Sequence, residues 1–196
     1  MKKASKVLNS RGAGILKGLI CYDSKYGSTE TVCTAVRSGI TLDVDIKNIK
    51  DVKDLDYDFI VIASPIFIGK PMQSIEVFIK DNYSKLFKKN IAVMVTCWAA
   101  STKYRDASAD FIRQIVKDLP ECNLIASKAL PGKLILDQIS ERDKNTLLRI
   151  VNRISKMAGN FGGEDTSWND VRDDQAAKAF GEEIEKAVMQ LKASTL

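Results

Sequence analysis

Two unbroken apolar runs, Phe59–Ala63 and Ile91–Val95, constrain the fold more than any other feature of this chain. A strand consists of consecutive apolar residues when helices cover it on both faces, because neither side of the strand then contacts water. Strands covered like this run parallel, since each helix returns the chain to the same end of the sheet. We therefore predict that both segments are central, parallel strands of an α/β sheet.

Strand and helix patterns alternate along the rest of the chain. Further strands are predicted at 15–22, 42–46 and 124–130, helices at 29–39, 73–82, 105–119, 146–158 and 173–193, and a glycine-rich loop at 159–168. Residues 42–46 alternate apolar and charged side chains, which is typical of a strand with one exposed face, so we expect this strand at an edge. The pattern predicts a three-layer, doubly wound α/β fold with a five-stranded parallel sheet of order 2-1-3-4-5.

The length of 196 residues suits one domain over 15–196, preceded by a flexible basic tail at 1–14. The tail lacks the apolar segment of a signal peptide, and no apolar run is long enough to span a membrane. The four cysteines form no C-x-x-C pair, which favours buried thiols in a reducing compartment. We expect a cytoplasmic protein with at most peripheral contact at the inner face of the membrane.

The composition excludes several functions. The chain contains no histidine, which removes Ser-His and Cys-His catalysis and histidine ligation of metals, and no metal site is predicted. The net charge of +5 is not concentrated in a basic stripe with interleaved aromatic residues. Nucleic acid is therefore not an expected partner.

A phosphate site is indicated where the first strand turns into the first helix. The turn consists of Ser24, Lys25, Tyr26, Gly27, Ser28 and Thr29. Backbone N–H groups at a helix N-terminus lack partners and carry partial positive charge, so they attract anions. Gly27 lets the backbone approach an anion, and the neighbouring hydroxyl groups can donate hydrogen bonds to it. An ordinary capped helix start uses the same residue types, so this loop alone leaves both interpretations open.

Two further loops should meet this one. In the order 2-1-3-4-5, the carboxyl ends of strands one, three and four lie side by side at the switch point where ligands bind. The second loop contains Pro65, Ile66, Phe67, Ile68 and Gly69, and the third contains Thr96, Cys97, Trp98 and Ala99. Phosphate donors beside two aromatic side chains describe a mononucleotide site with a large ring system.

Other phosphate sites fit less well. The chain lacks the lysine spacing of a nucleoside-triphosphate P-loop and the G-x-G-x-x-G pattern of a dinucleotide site. A receiver domain shares the strand order but needs an aspartate at the end of strand three. That place is held by Ser64-Pro65.

The first two loops resemble those of a known family. Tyr22–Thr29 is similar to the FMN-phosphate signature of the flavodoxin family, and Ser64–Lys70 is similar to its second loop, which faces the isoalloxazine ring. The resemblance extends over 15–191 and is greatest to the quinone-linked (menaquinone-dependent) protoporphyrinogen oxidase branch. The segment Gly162–Thr166, followed by Trp168, also resembles that branch. It implies a flavodoxin-like fold with FMN as the cofactor.

The resemblance also implies roles. Four residues would hold the FMN phosphate: Ser24, Gly27, Ser28 and Thr29. Lys25 either adds charge to that site or is solvated, and Phe67 and Trp98 would pack against the flavin ring. Gly69 either allows a backbone flip toward N5 of the reduced flavin or is a simple turn glycine. Cys97 is interpreted as a small apolar residue, and the flavin carries the chemistry, so no catalytic residue is predicted.

Two functions remain open. One is an FMN-dependent oxidoreductase of heme biosynthesis that oxidises protoporphyrinogen and passes electrons to a quinone or another acceptor. The other is a stand-alone flavodoxin that carries electrons between redox partner proteins. The pI of about 8.9 favours the enzyme, because carriers of the family are typically acidic. The segment 99–110 counts against the enzyme, because it is shorter and less basic than in the oxidase branch. A flavodoxin-like domain that has lost its cofactor is a third alternative.

Overall fold

The computed structural model describes residues 16–101, 108–133, 138–147, 149 and 170–194. Its main strands are β1 (Lys17–Tyr22), β2 (Asp43–Asn48), β3 (Phe59–Phe67), β5 (Asn90–Thr96) and β6 (Asn123–Leu130), all paired in parallel. A two-residue strand, β4 (Lys70–Pro71), pairs antiparallel with the end of β3. The order β2-β1-β3-β5-β6 confirms the predicted sheet, because β4 only shifts the later labels by one.

The helices are α1 (Ser28–Ser38), α2 (Gln73–Asp81), α3 (Tyr83–Leu86), α4 (Ser108–Val116) and α6 (Asp174–Ser194), and residues 141–147 lie in a further helix, α5. Short 3-10 turns follow β2 and β5 at Ile49–Asp51 and Trp98–Ser101. The predicted tail at 1–14, residues 150–158 of the predicted fourth helix and the loop at 159–168 lie outside the described residues.

Two predicted helix boundaries were wrong. The helix predicted from 146 is already helical at 141, because the Ser140 hydroxyl accepts the Asp143 N–H at 3.3 Å and caps it. The helix predicted to reach Leu119 ends at Val116. Its last residues tighten instead into i→i+3 bonds, such as Leu119 N–H to Val116 O, before Pro120.

The sheet separates two apolar cores, as a doubly wound fold requires. On one face, the core includes Ile20, Val36, Phe59 and Phe180, which come from β1, α1, β3 and α6. On the other face, neighbouring strand residues such as Leu19 and Ile60 pack with residues of α2, α3 and α4. Because β3 and β5 are buried on both faces, their predicted central position is confirmed.

Helices α1 and α6 cross at a contact between two glycines. A Cβ atom at Gly39 would lie 2.0 Å from the backbone oxygen of Lys178, and one at Gly181 would lie 2.1 Å from that of Val36. Backbone atoms cannot rotate away as side chains do. The two helices can therefore approach this closely only while both positions lack a side chain, and this contact fixes α1 against α6.

We predict that Gly181→Ala destabilises the protein. Alanine within a helix would by itself gain about 0.8–1.0 kcal/mol over glycine. The clash with the Val36 carbonyl outweighs this gain, and we expect a net loss of roughly 1–3 kcal/mol in the free energy of unfolding. Urea denaturation measures the change, with Glu182→Ala at the exposed neighbouring position as the control. A Gly181→Ala variant as stable as the wild type would contradict this account of the crossing.

Candidate functional site

Four loops meet at the carboxyl edge of the sheet. The strand register places Tyr22 beside Ala63, Pro65 beside Thr96, and Thr96 beside Leu130, so the segments that follow these residues emerge together. Three of these loops contain the predicted site residues. The fourth loop, Pro131-Gly132-Lys133, was not predicted to belong to the site, although the strand before it was correctly predicted to be parallel.

The first loop ends at an uncapped helix N-terminus. Gly27 precedes α1 with φ of 77°, in the left-handed region, and no side chain caps the helix. An added Cβ at Gly27 would meet nothing within 4 Å, so the space beside the turn is open. The first-turn N–H groups of α1 are thus not covered by a capping side chain, as an anion site requires.

Three hydroxyl groups, those of Ser24, Ser28 and Thr29, lie near this helix start and differ in their hydrogen bonds. Thr29 is fully buried, and its Oγ1 lies 2.9 Å from Thr96 Oγ1, which joins the first and third loops. Ser28 Oγ accepts the Lys133 N–H at 2.7 Å. Because that bond occupies a lone pair, the Ser28 O–H remains able to donate.

Ser24 differs from its neighbours. Among the described residues, its Oγ is the buried side-chain oxygen that has no hydrogen-bond partner. Leaving a buried hydroxyl unsatisfied costs free energy, and such a group in a native structure indicates a ligand or a strained site. An incoming anion beside α1 would supply the missing acceptor.

The buried carboxylate of Asp23 fixes the backbone of the first loop, and sequence reasoning missed it. Asp23 is 6% exposed, and its Oδ1 accepts the Ser24 N–H at 2.7 Å. Its Oδ2 accepts the hydroxyl of Ser74, in the first turn of α2. Asp23 therefore joins the end of β1 to the helix that follows the second loop.

Lys25 and Tyr26 both turn toward Asp143. Lys25 Nζ lies 2.5 Å from Asp143 Oδ2, and the Tyr26 hydroxyl donates to the same oxygen. The Ser140 N–H in turn donates to the Tyr26 hydroxyl at 3.4 Å. These bonds, led by that of Lys25, lower the pKa of Asp143 below its ordinary value of 3.8. The loop lysine is therefore paired, and direct contacts of Lys25 and Tyr26 with a cofactor stay predictions.

The second loop is a tight hairpin. Phe67 pairs with Lys70 across the turn residues Ile68 and Gly69, which have φ of 52° and 74°. Positive φ at both turn residues is typical of a type I′ turn, but isoleucine is β-branched and rarely adopts it. The hairpin thus holds strained backbone, with the Ile68 side chain 50% exposed.

Buried hydrogen bonds support the base of this hairpin. Ser64 Oγ donates to the Pro65 carbonyl at 2.9 Å and accepts the Met72 N–H at 3.0 Å. Ile66 packs against the core on the α2 side, and Phe67 stays half-buried. Lys25 Nζ lies 4.4 Å from the centre of the Phe67 ring, which brings the first and second loops together.

The third loop begins as buried backbone. Cys97 is 7% exposed, and its N–H donates to the Leu130 carbonyl at 3.0 Å. Burial raises the pKa of the Cys97 thiol, which keeps the thiol protonated and agrees with its interpretation as a small apolar residue. Trp98 and Ala99 are half-buried in the 3-10 turn that follows, so both can contact a ligand at this edge.

A family model described as a flavodoxin domain matches residues 19–161. The chain belongs to the flavodoxin domain family. The match begins in β1 and includes all three predicted loops. The fold and the arrangement of the loops therefore agree with the family that the two sequence signatures indicated.

Three solved structures share the fold of this flavodoxin domain. A flavodoxin from the domain Archaea is 17% identical, with a TM-score of 0.50, and the match covers 89% of this chain and 99% of that chain. A WrbA-like protein from Agrobacterium tumefaciens is 11% identical, with a TM-score of 0.50 and coverages of 89% and 98%. A short-chain flavodoxin associated with a bacterial microcompartment is 15% identical, with a TM-score of 0.51 and coverages of 88% and 99%. No curated protein matches the chain at a significant level.

FMN is the cofactor that this site fits. The uncapped start of α1, the left-handed Gly27 and the unsatisfied Ser24 Oγ are the features in this structure that would hold the FMN phosphate. Phe67 and Trp98 lie at the ends of the neighbouring strands, where a flat ring system can pack.

Over the part of the chain that the structure describes, no helix combines the length and apolar character needed to cross a bilayer.

We predict opposite effects of Ser24→Ala on stability and on FMN affinity. Removing a buried, unpaired hydroxyl should leave the apoprotein as stable as the wild type or slightly more stable. Losing a hydrogen bond to the phosphate should cost about 1.5–3 kcal/mol of binding, or roughly a tenfold to hundredfold rise in Kd. Thermal unfolding and FMN fluorescence quenching measure the two effects. Ser38→Ala, at the far end of α1, serves as the control. A destabilised variant with unchanged affinity would exclude Ser24 from the phosphate site.

We also predict a pH dependence with a definite sign for Asp143. A carboxyl group whose pKa is lower in the folded state adds stability above its unfolded pKa and loses it as the pH falls through its folded pKa. The difference in free energy of unfolding between wild type and Asp143→Asn should thus be largest at neutral pH. It should shrink as the pH falls below 3.8, the ordinary pKa of an aspartate. Urea denaturation at stepped pH measures it. A difference that persists undiminished to about pH 2 would contradict the assigned role of Asp143.

Proposed function

We propose that this flavodoxin domain is an FMN-dependent oxidoreductase that takes electrons from an organic substrate and passes them to a quinone or another acceptor. When bound, FMN supplies the redox chemistry, since it accepts electrons in pairs and releases them singly or in pairs. The convergence of the proposed phosphate site, the Phe67 hairpin and the Trp98 turn at one sheet edge carries this proposal.

The protein's own residues would hold and orient the cofactor. The α1 N–H groups and the Ser24 and Ser28 hydroxyls would bind the phosphate, and the Thr29–Thr96 pair keeps the first loop against the third. The half-buried side chains of Phe67 and Trp98 would exclude water from the ring faces. The strained turn at Ile68-Gly69 would present its backbone to the ring edge, where a change of peptide orientation could follow reduction.

The charge on the loops favours the enzyme over a carrier with an acidic docking face. In the loop residues 23–29, 65–70, 97–101 and 131–133, the cations are Lys25, Lys70 and Lys133. Asp23 is the carboxylate in the same segments, and it is buried. Asp143 pairs with Lys25 and Asp170 pairs with Lys133, so the cofactor edge is close to neutral rather than acidic. Such an edge suits a quinone or a porphyrinogen better than a basic redox protein.

By sequence resemblance, we propose protoporphyrinogen as the substrate. Its carboxylate side chains complement the exposed Lys70, and its large apolar ring system suits a site flanked by Phe67 and the exposed Ile68. The proposed acceptor is a quinone reached from the cytoplasm or from the inner face of the membrane.

A stand-alone electron carrier is the second candidate. The likeness to two solved flavodoxins covers 88–89% of this chain and 99% of each of theirs, so the described chain adds little beyond the common domain. A carrier built on this chain would exchange electrons with an acidic partner protein at the same edge.

An anaerobic assay separates the two candidates. FMN titration comes first, and we expect quenching of FMN fluorescence at micromolar concentrations or below. The holoprotein is then mixed with protoporphyrinogen and a soluble menaquinone analogue, and porphyrin fluorescence is followed. Porphyrin formation that needs the protein, FMN and the quinone supports the oxidoreductase. FMN binding without porphyrin formation supports the carrier and contradicts the enzyme, whereas no FMN binding contradicts both.

A further inference from the structure

The Lys25–Asp143 pair places two opposite charges against the side chain proposed to flank the flavin. Asp143 is 7% exposed, and its Oδ2 lies 2.5 Å from Lys25 Nζ. The same ammonium group lies 4.4 Å from the centre of the Phe67 ring. Both charges of the pair are thus held close to the aromatic wall of the site.

Asp143 joins the start of α5 to Lys25 and Tyr26 of the first loop. Its carboxylate faces the Lys25 ammonium and the Tyr26 hydroxyl, and its backbone N–H donates to Ser140. The neighbouring Lys144 pairs with Glu141 at 3.8 Å. Within the described residues, the side chain of Asp143 is therefore held by Lys25 and Tyr26 of the first loop and by Ser140 at the start of its own helix.

We propose that Asp143 sets the reduction potential of the bound FMN by neutralising the charge of Lys25. This inference rests on the proposed binding of FMN between Phe67 and Trp98. Reduction adds negative charge to a flavin, so an uncompensated cation near the ring favours the reduced form. The carboxylate of Asp143 cancels that effect and keeps the flavin a stronger reductant. Asp143 is on this account a positioning residue that acts through Lys25.

Asp143→Asn tests the proposal with little change in shape. The amide keeps an oxygen for the Tyr26 hydroxyl but removes the negative charge beside Lys25. We expect the reduced cofactor to bind at least tenfold more tightly relative to the oxidised one, which raises a two-electron midpoint potential by about 30 mV. Redox titration with reference dyes measures the potential, and fluorescence quenching gives the Kd of oxidised FMN.

Asp45→Asn is a matched control. Asp45 also accepts a tyrosine hydroxyl, from Tyr57 at 2.7 Å, and pairs with Lys17 and Lys47 at 3.3 Å. It lies in the edge strand β2, away from the four loops. This variant loses the same kinds of contact, so a general loss of stability should appear in both variants. The potential should change only in Asp143→Asn.

Removing Lys25 as well completes a double-mutant cycle. Lys25→Met should lower the potential, and the Lys25→Met, Asp143→Asn double variant should return it close to that of the wild type. An unchanged potential in Asp143→Asn would overturn the inference, as would a Kd that changes equally for both redox forms, because Lys25 would then act on the phosphate. If the wild type binds no FMN, the proposed function itself fails before this comparison begins.

Discussion

The hydrogen-bond ladder between β1, β3 and β5 is the interaction on which every other part of this site depends. Because β3 and β5 are buried on both faces, a shift of one residue would turn apolar side chains into the wrong core, and the register is strongly specified. That register places the ends of the three strands at one edge. Loops far apart in the sequence are thereby brought within hydrogen-bonding distance, as Thr29 and Thr96 show.

The second constraint is the position of α1. The proposed phosphate site includes the start of this helix, so any movement of α1 would move the N–H donors as well. The glycine crossing holds α1 beside α6 on the same face of the sheet, while Val32, Cys33 and Val36 bury the inner face of α1. Helix α6 therefore contributes to the position of α1 and of the loop before it. Stability and cofactor affinity are linked through this packing.

Much of this arrangement could be predicted from local sequence. Unbroken apolar runs predicted the central strands, and the residues around Gly27 predicted the turn from β1 into α1, because each has a local physical signature. The contributions of Lys133 and Asp143 could not be found in this way. Lys133 acts through a backbone N–H, and Asp143 lies 117 positions from Tyr26, so neither leaves a local pattern. The start of α5 was missed although a capping signal, Ser140 with Asp143 three residues later, is present in the sequence.

Several residues that break local rules lie at this edge of the sheet. Ser24 keeps an unpaired buried hydroxyl, and Ile68 adopts a backbone conformation that its branched side chain disfavours. Both features cost stability in the protein alone. Beside them, Lys25 pairs with Asp143. Natural sequences are otherwise locally consistent, so such costs are retained where a ligand or a reaction compensates for them. The fold explains where this edge lies, but it is the unpaired hydroxyl and the strained turn, beside the paired charges, that indicate a bound cofactor.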